Sequence, residues 1–379
     1  TARFVMFKVP FEDILSPVIF QEIEESTERM IRPEFRVCAL RQRELYEEGL
    51  PASDKEGRKR IATARYEGNK WGGKYLRAPD IFFTILEKGK GKLVRLGDIA
   101  EVRRGFTTGA DGWFHVRPLA IQGDCTLVES GDGSKHLIET KFLLPIVRSL
   151  KECKKYRVTV QDLPCRLVAI DISRQDLSRY HASEYVHYGE ITSYPSRTGG
   201  GIPAERPTCA ARREWYRLNI PSVQDIRGFM FKLRRDKHFV ADNQSGGLGD
   251  DALYEIYCED KIVVPLLNSS ITALFMENIG RTPGGGSGPL AIMVVEAKQL
   301  LVLQPSAFTS FQRDCLLSAF EQMANREVES IFDETNQPDR RALDDVIFDV
   351  LGLTGGEREA VYEAVVGLVK GRLEKAKSV

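Results

Sequence analysis

The sequence predicts an α+β fold: an irregular mixed-sheet domain followed by a C-terminal helical bundle. Three observations predict it. Short apolar segments recur between about positions 93 and 304, among them KLVRL, FLLPIV, RLVAIDI, ALYEIYC, KIVVPLL and AIMVVEA. Clusters of Gly, Pro, Asn and Asp separate them, where a doubly wound parallel sheet would place regular helices. The last seventy or so residues change character and carry helical periods with capping signals.

Taken in order, RFVMFKV at 3–9 alternates as a strand does, and Pro17 opens an amphipathic, Glu-rich stretch to about Met30. FRVCALR at 35–41 reads as a second strand. Residues 51–70 are polar and basic without an apolar period, the pattern of a linker or exposed arm. A helix is predicted over 71–90, with Pro79 near its start. The stretch LVRLGDIAEVRRGFTTGADGWFHV at 93–116 begins as a strand and turns at Gly97-Asp98. It then sets Arg103 and Arg104 beside a Gly/Thr-rich turn, with Trp113 and Phe114 directly after. Near the C-terminus, Thr309 with Gln312 and Thr354 with Glu357 form capping boxes, and Gly352 is a natural helix stop.

Composition bounds the function. The chain has 379 residues and enough apolar material for two or three domains, with no apolar run long enough to span a membrane. It opens at Thr1 on a strand-like segment, which we read as a piece of a longer protein. Seven scattered cysteines without a Cys-x-x-Cys pair fit free thiols in a reducing cytoplasm, and the five histidines show no ligand spacing, so no metal is expected. Net charge is zero, but unevenly spread. Residues 51–240 carry a surplus of thirteen positive charges, and 241–379 a deficit of ten. That asymmetry points to a polyanionic partner for the middle of the chain; a solvated basic surface is the plainer alternative.

Catalytic signatures are sparse. There is no Gly-x-x-x-x-Gly-Lys-Ser/Thr loop, no Gly-x-Ser-x-Gly elbow and no Gly-x-Gly-x-x-Gly after a strand. Two Glu-x-Lys patterns, Glu296 to Lys298 and Glu259 to Lys261 with Asp251 upstream, resemble carboxylates that hold Mg²⁺ on a nuclease strand. This makes a Mg-dependent nuclease one alternative. A protein-interaction module, docking through the acidic tail, is another.

Basic residues interleaved with aromatics are better represented. One cluster is Lys70, Trp71, Lys74, Tyr75 and Arg77. A second is Arg103, Arg104, Thr107 and Thr108. A third is Arg212, Arg213, Trp215 and Arg217, and a fourth is Lys232, Arg234, Arg235, Lys237 and His238; Arg197 and Arg281 complete the set. Lys and Arg neutralise phosphates, hydroxyls and loop amides fix register, and Arg reads guanine edges. Trp71 and Trp215 can equally be core residues with basic neighbours. No catalytic, cofactor or metal residue is assigned within this chain.

KWGGKYLRAPDIFFTIL, LVRLGDIAEVRRGFTTGADGWFHV, REWYRLNIP, VVPLLNSSITALFMENIGRTPGGGSGPLAIMVVEAKQLLVL and RRALDDVIFDVLGLTGGEREAVYEAVVGLVKGR follow one another in the chain. In that order they resemble the C-terminal target-recognition region of restriction-modification adenine-N6 DNA methyltransferases of type II and IIG. LGDIAEVRRGFTTG is also similar to the opening of type I specificity-subunit recognition domains. The resemblance covers roughly 65–375. It implies that 1–65 is the tail of a methyltransferase domain or a connector, 66–305 a DNA target-recognition domain and 306–379 a helical segment. It implies double-stranded DNA as partner, read at bases contacted from about Arg174 to Arg217, and an associated methyltransferase or endonuclease domain or subunit. The chain departs from whole family enzymes in having no Asn/Asp-Pro-Pro-Tyr/Phe motif and no Pro-Pro pair at all. S-adenosyl-L-methionine is therefore expected in a catalytic domain outside this chain, and no methylation by this chain alone.

Overall fold

A computed structural model of the chain describes residues 1–14, 16–49, 71–149, 151–195, 200–220, 222, 225–283 and 288–375, in two compact units, Thr1–Glu87 and Lys88–Val379. The linker expected over 51–70 lies outside the described residues.

In the first unit, β1 (Ala2–Phe7) pairs antiparallel with β3 (Phe35–Leu40), which also takes β2 (Met30–Ile31) on its other side. The helix α1 (Val18–Glu25) follows Pro17, as the sequence predicts, and α2 (Gln42–Glu48) follows β3. The single helix predicted over 71–90 is broken. A π-helical turn, Gly72–Arg77, ends at Ala78, and α3 (Asp80–Lys88) begins after Pro79. Proline pushes the residue before it out of the helical region, and Ala78 is extended at φ −59°, ψ 133°. Arg36 pins this corner: it is fully buried and donates to Asp80 (2.8 Å) and to the Tyr75 carbonyl (3.3 Å).

The second unit holds β4 (Leu93–Arg95), α4 (Leu96–Ile99), β5 (Glu101–Arg104), α5 (Asp111–Phe114), β6 (His115–Gln122), β7 (Cys125–Glu129), β8 (Lys135–Glu139), β9 (Leu143–Val147), β10 (Arg157–Val158) and β11 (Arg166–Val168). There follow α6 (Arg174–Leu177), α7 (Ala182–Ile191), α8 (Pro207–Ala210), β12 (Ile226–Phe231), β13 (Leu233–Arg234), β14 (Val240–Asn243), β15 (Leu248–Gly249) and β16 (Leu253–Tyr257). After these come α9 (Val263–Leu267), α10 (Ser270–Ile279), β17 (Leu290–Ala291), α11 (Val294–Gln299) and β18 (Leu301–Leu303). One sheet runs β10-β14-β12-β16-β5 and a larger one β15-β9-β11-β6-β7-β8; β13–β17 and β18–β4 form two-stranded ribbons. In the two larger sheets β10–β14 and β15–β9 are parallel pairs and the other pairs antiparallel, so both sheets are mixed.

KLVRL, FLLPIV, RLVAIDI and ALYEIYC supply strands as expected. KIVVPLL and AIMVVEA do not. The first is α9, buried at every position, and the second is a two-residue strand leading into α11. A short, wholly apolar run has no polar face, so its period cannot tell a buried strand from a buried helix.

The chain closes with α12 (Ser310–Ala324), α13 (Ile331–Glu334), α14 (Pro338–Leu351) and α15 (Gly355–Lys375), within the same compact unit as the sheets. Thr309 Oγ1 accepts from Gln312 N (3.2 Å), and Gln312 Oε1 accepts from Thr309 N (2.9 Å). Glu357 accepts from Thr354 N (2.7 Å), and Gly352 ends α14 at φ +67°, where a side chain would be strained.

Trp113 is the anchor of the larger sheet's core. It is fully buried, stacks on Tyr185 at 4.6 Å, meets Trp215 at 4.6 Å and donates to the Tyr185 carbonyl at 3.3 Å. Gly189 in α7 makes this approach possible: a Cβ there would lie 2.5 Å from Trp113 Nε1 and 2.6 Å from Trp215. Alanine is the better helix former, yet Gly189→Ala is expected to cost about 1–3 kcal/mol by overpacking. Urea unfolding of the variant checks this, and unchanged stability would show that α7 can retreat from the indoles.

Candidate nucleic-acid interface

The second and third basic clusters, about a hundred residues apart in sequence, are joined in space. Arg212 donates to the Thr108 carbonyl (2.5 Å) and to the Trp215 carbonyl (3.1 Å), so it braces the Gly/Thr-rich turn against the REWYR segment. Thr108 itself is buried; its hydroxyl donates to Asp111 and accepts from Ala110 N (3.1 Å). Thr107 beside it is exposed.

Past this brace lies an open cleft of about 640 Å³, lined by Lys141, Arg212, Arg213, Arg217 and Asn219, with Asp171 and Glu214 as the acidic members. Arg213 and Arg217 are exposed, and Lys141 lies 4.0 Å over the Tyr180 ring. Arg217 also approaches Glu214 at 3.8 Å. Cations outnumber carboxylates in its lining, which favours an anion there. Lys141 and Asn219 were not singled out in the sequence, where neither stands in a basic or aromatic cluster.

A second gathering of cations lies at β5, the edge strand of its sheet. Arg103 is hydrogen-bonded twice to Glu101 (2.7 and 2.6 Å) and lies 4.4 Å over the Tyr257 ring. Arg104 meets Asp251 at 2.6 Å and is 61% exposed. Lys232 is nearby; partial burial lowers its pKa, and the like charge of Arg104 adds to that while Asp251 opposes it. Exposed ion pairs of this kind contribute at most about 1 kcal/mol, so both arginines can exchange a carboxylate for a phosphate at little cost. The backbone N–H of Ile292 donates to the Lys232 carbonyl (2.9 Å), and the exposed Leu233, Met293 and Val295 lie along the two joined segments.

Several expected contact residues are elsewhere. Tyr75 is buried and stacks on Phe4 (4.9 Å), and Trp71 packs edge-on against Phe4 (6.4 Å), so the aromatics of the first cluster belong to the core of the first unit. Lys74 lies over the Tyr75 ring, and Arg77 is exposed. Trp215 is half-buried against Trp113 and donates to Glu190 (3.0 Å). Arg234 is an interior residue: it is 2% exposed and donates to the Phe231 carbonyl (3.0 Å), and burial lowers its pKa to about 10 against the pull of Glu277. Arg235 and Lys237 are exposed but tied to the C-terminal helices and the loop beside them. The Arg235 carbonyl accepts from Arg372 (2.5 Å), and Lys237 donates to the Val328 carbonyl (2.6 Å). Lys70 and Arg197 lie outside the described residues. Tyr75, Thr108 and Arg234 are thus withdrawn from the contact surface, because each is enclosed by protein.

The nuclease pattern is also corrected. Glu296 lies in the first turn of α11 rather than on a strand; it is 1% exposed, caps the Met293 N–H (3.1 Å) and pairs with Arg281 (2.5 Å). Lys261 leads into the helical KIVVPLL segment, and Asp260 is held by Arg313 (2.7 Å). Two clusters of potential metal ligands do occur among the described residues: Asp111 with His115 and Asp250, and Cys125 with Glu139 and His181. Neither includes Glu259 or Glu296. Scattered histidine positions in the sequence hid both, since their members are brought together only by the fold.

The mixed sheets and packed C-terminal helices form a fold that one solved structure shares. The chain superposes on the solved structure of the type IIG restriction endonuclease BpuSI with a TM-score of 0.53 at 11% identity, covering 93% of this chain and 38% of that one. It also aligns with the type IIL restriction-modification enzyme MmeI in complex with DNA, with a TM-score of 0.42 at 12% identity, over 75% of this chain and 36% of that one. No curated protein matches the sequence. The family model described as type II methyltransferase M.Eco57I, C-terminal domain, matches residues 68–338, and the chain belongs to that family.

Proposed function

We propose that this chain is the DNA-recognition portion of an adenine-N6 DNA methyltransferase of a restriction-modification system. It grips double-stranded DNA through the cleft lined by Lys141, Arg213 and Arg217, through the exposed Arg103 and Arg104, and through the half-buried Lys232. The single observation that carries this reading is the Arg212 brace, which fixes the Gly/Thr-rich turn of the second basic segment against the third, beside the cationic cleft. Family membership and the fold shared with BpuSI support it.

Phosphate contacts position the duplex, and side chains around the cleft read base edges. The adenine is methylated elsewhere, in a catalytic domain that binds S-adenosyl-L-methionine, and this chain orients the DNA towards that domain. Such a domain, or an endonuclease domain fused to it, is the protein partner. Genomic DNA as substrate implies the cytoplasm; among the described residues no helix is long and apolar enough to cross a membrane.

Replacing Arg103 and Arg104 together with Ala is expected to weaken binding to duplex DNA roughly tenfold at moderate salt, with circular dichroism unchanged. Electrophoretic shifts measure it. Shifts identical to wild type would remove the β5 edge from the interface.

A further inference from the structure

We propose that Asp111, His115 and Asp250 form a binding site for a divalent transition-metal ion, of the manganese-to-zinc series, that ties the Gly/Thr-rich turn to the β15–β16 connection. The three side chains come from different parts of the chain. Asp111 opens α5, His115 begins β6, and Asp250 follows β15. Their ligand atoms lie within 4.8 Å of one another.

The observation that sets this cluster apart is the histidine. His115 is 6% exposed, and both of its ring nitrogens are buried without a hydrogen-bond partner. A buried polar group left unsatisfied is costly, and a metal ion is one partner that repays it. Among the described residues neither carboxylate has an ion-pair partner. Asp111 accepts only from Thr108, and Asp250 from Asp251 N (2.5 Å). Arg148 and Lys232 are cations facing the site, and the Arg148 guanidinium donates to Cys165 Sγ (3.1 Å).

The donor set selects the ion. One imidazole with two carboxylates suits manganese to zinc better than the all-oxygen shells of magnesium or calcium. The surrounding backbone is already held. Phe106 N donates to the Gly249 carbonyl (2.7 Å), Asp250 N donates to the Val147 carbonyl (2.8 Å), and a Cβ on Gly105 would strike the Asp250 carbonyl oxygen at 2.1 Å. The ion therefore occupies a junction between the two large sheets, next to Asp251, the partner of Arg104. Its role is to fix this turn.

The other cluster, Cys125 with Glu139 and His181, lacks such a signal. Glu139 there caps α7 through His181 N (2.6 Å) and Ala182 N (3.1 Å).

The test is calorimetric titration of the full, chelator-stripped chain with MnCl₂ alone and ZnCl₂ alone. One saturable site is expected for at least one of the two ions, accompanied by a rise in the thermal midpoint. Asp111→Asn, an exposed position that leaves the core intact, is expected to weaken that site at least about tenfold, as are His115→Gln and Asp250→Asn. His181→Ala is expected to retain it. Absence of a saturable site in the wild type, a site that survives Asp111→Asn, or a site lost only in His181→Ala would each overturn the proposal.

Discussion

Replacing Arg372 with Met is expected to destabilise the second unit by about 3–5 kcal/mol, because it strands a buried carboxylate. Arg372, on α15, is 6% exposed and donates to both oxygens of Glu277 on α10 (3.0 and 2.8 Å), to the Gly288 carbonyl (2.7 Å) and to the Arg235 carbonyl (2.5 Å). His238 Nε2 lies 2.7 Å from Glu277 Oε1. Burial alone would raise the Glu277 pKa, but His238 and Arg372 outweigh it and hold the carboxyl near about 2. A depressed carboxylate stabilises the fold above its unfolded value of 4.5, and that contribution disappears as pH falls from there through about 2. The wild type is therefore expected to lose stability across that acid window from this group. Adding Glu277→Gln to Arg372→Met removes the stranded charge and is expected to restore part of the loss. Urea unfolding at neutral pH and at pH values down the acid window measures all three. A loss under about 1 kcal/mol for Arg372→Met would mean that water reaches Glu277 and that α15 is not pinned through it.

The second large effect concerns the cleft. Arg213→Ala combined with Arg217→Ala is expected to weaken duplex binding by about 10–100-fold near 100 mM salt, since each lost phosphate contact also forfeits a released counterion. Both side chains are exposed, so the fold is expected to hold. Fluorescence anisotropy with a labelled duplex reads the change. The companion Arg212→Ala acts differently, because Arg212 holds the Thr108 and Trp215 carbonyls. It is expected to loosen the turn as well as weaken binding. Wild-type affinity in the Arg213/Arg217 double variant would leave the cleft without a role in DNA binding.

The sequence was informative where local chemistry decides structure. Alternation gave β1, the short FRVCALR segment gave β3, capping boxes gave the starts of α12 and α15, and Gly352 gave the end of α14. It was silent where burial decides. VVPLL is apolar on every side because α9 is enclosed on every side, which erases the period that would reveal a helix. Arg234 stands in a basic run identical in character to its exposed neighbours, and only the fold turns it inward. Trp71 and Tyr75 stand beside lysines in a basic cluster but complete a core against Phe4. Recognition of the site had the same limit. The basic middle of the chain was visible as composition, whereas Arg212 reaching Thr108, and His115 reaching Asp250, are contacts across more than a hundred positions. Lys141 carried no local signal at all.

Salt dependence of duplex binding by the intact chain tests the central claim most directly. With Lys141, Arg213, Arg217, Arg103, Arg104 and Lys232 against phosphates, the logarithm of the association constant is predicted to fall with the logarithm of salt concentration at a slope of about −5. The slope is predicted to shrink by about 2 in the Arg213/Arg217 double variant. A slope near zero, or no duplex binding at low salt by a folded chain, would contradict the account.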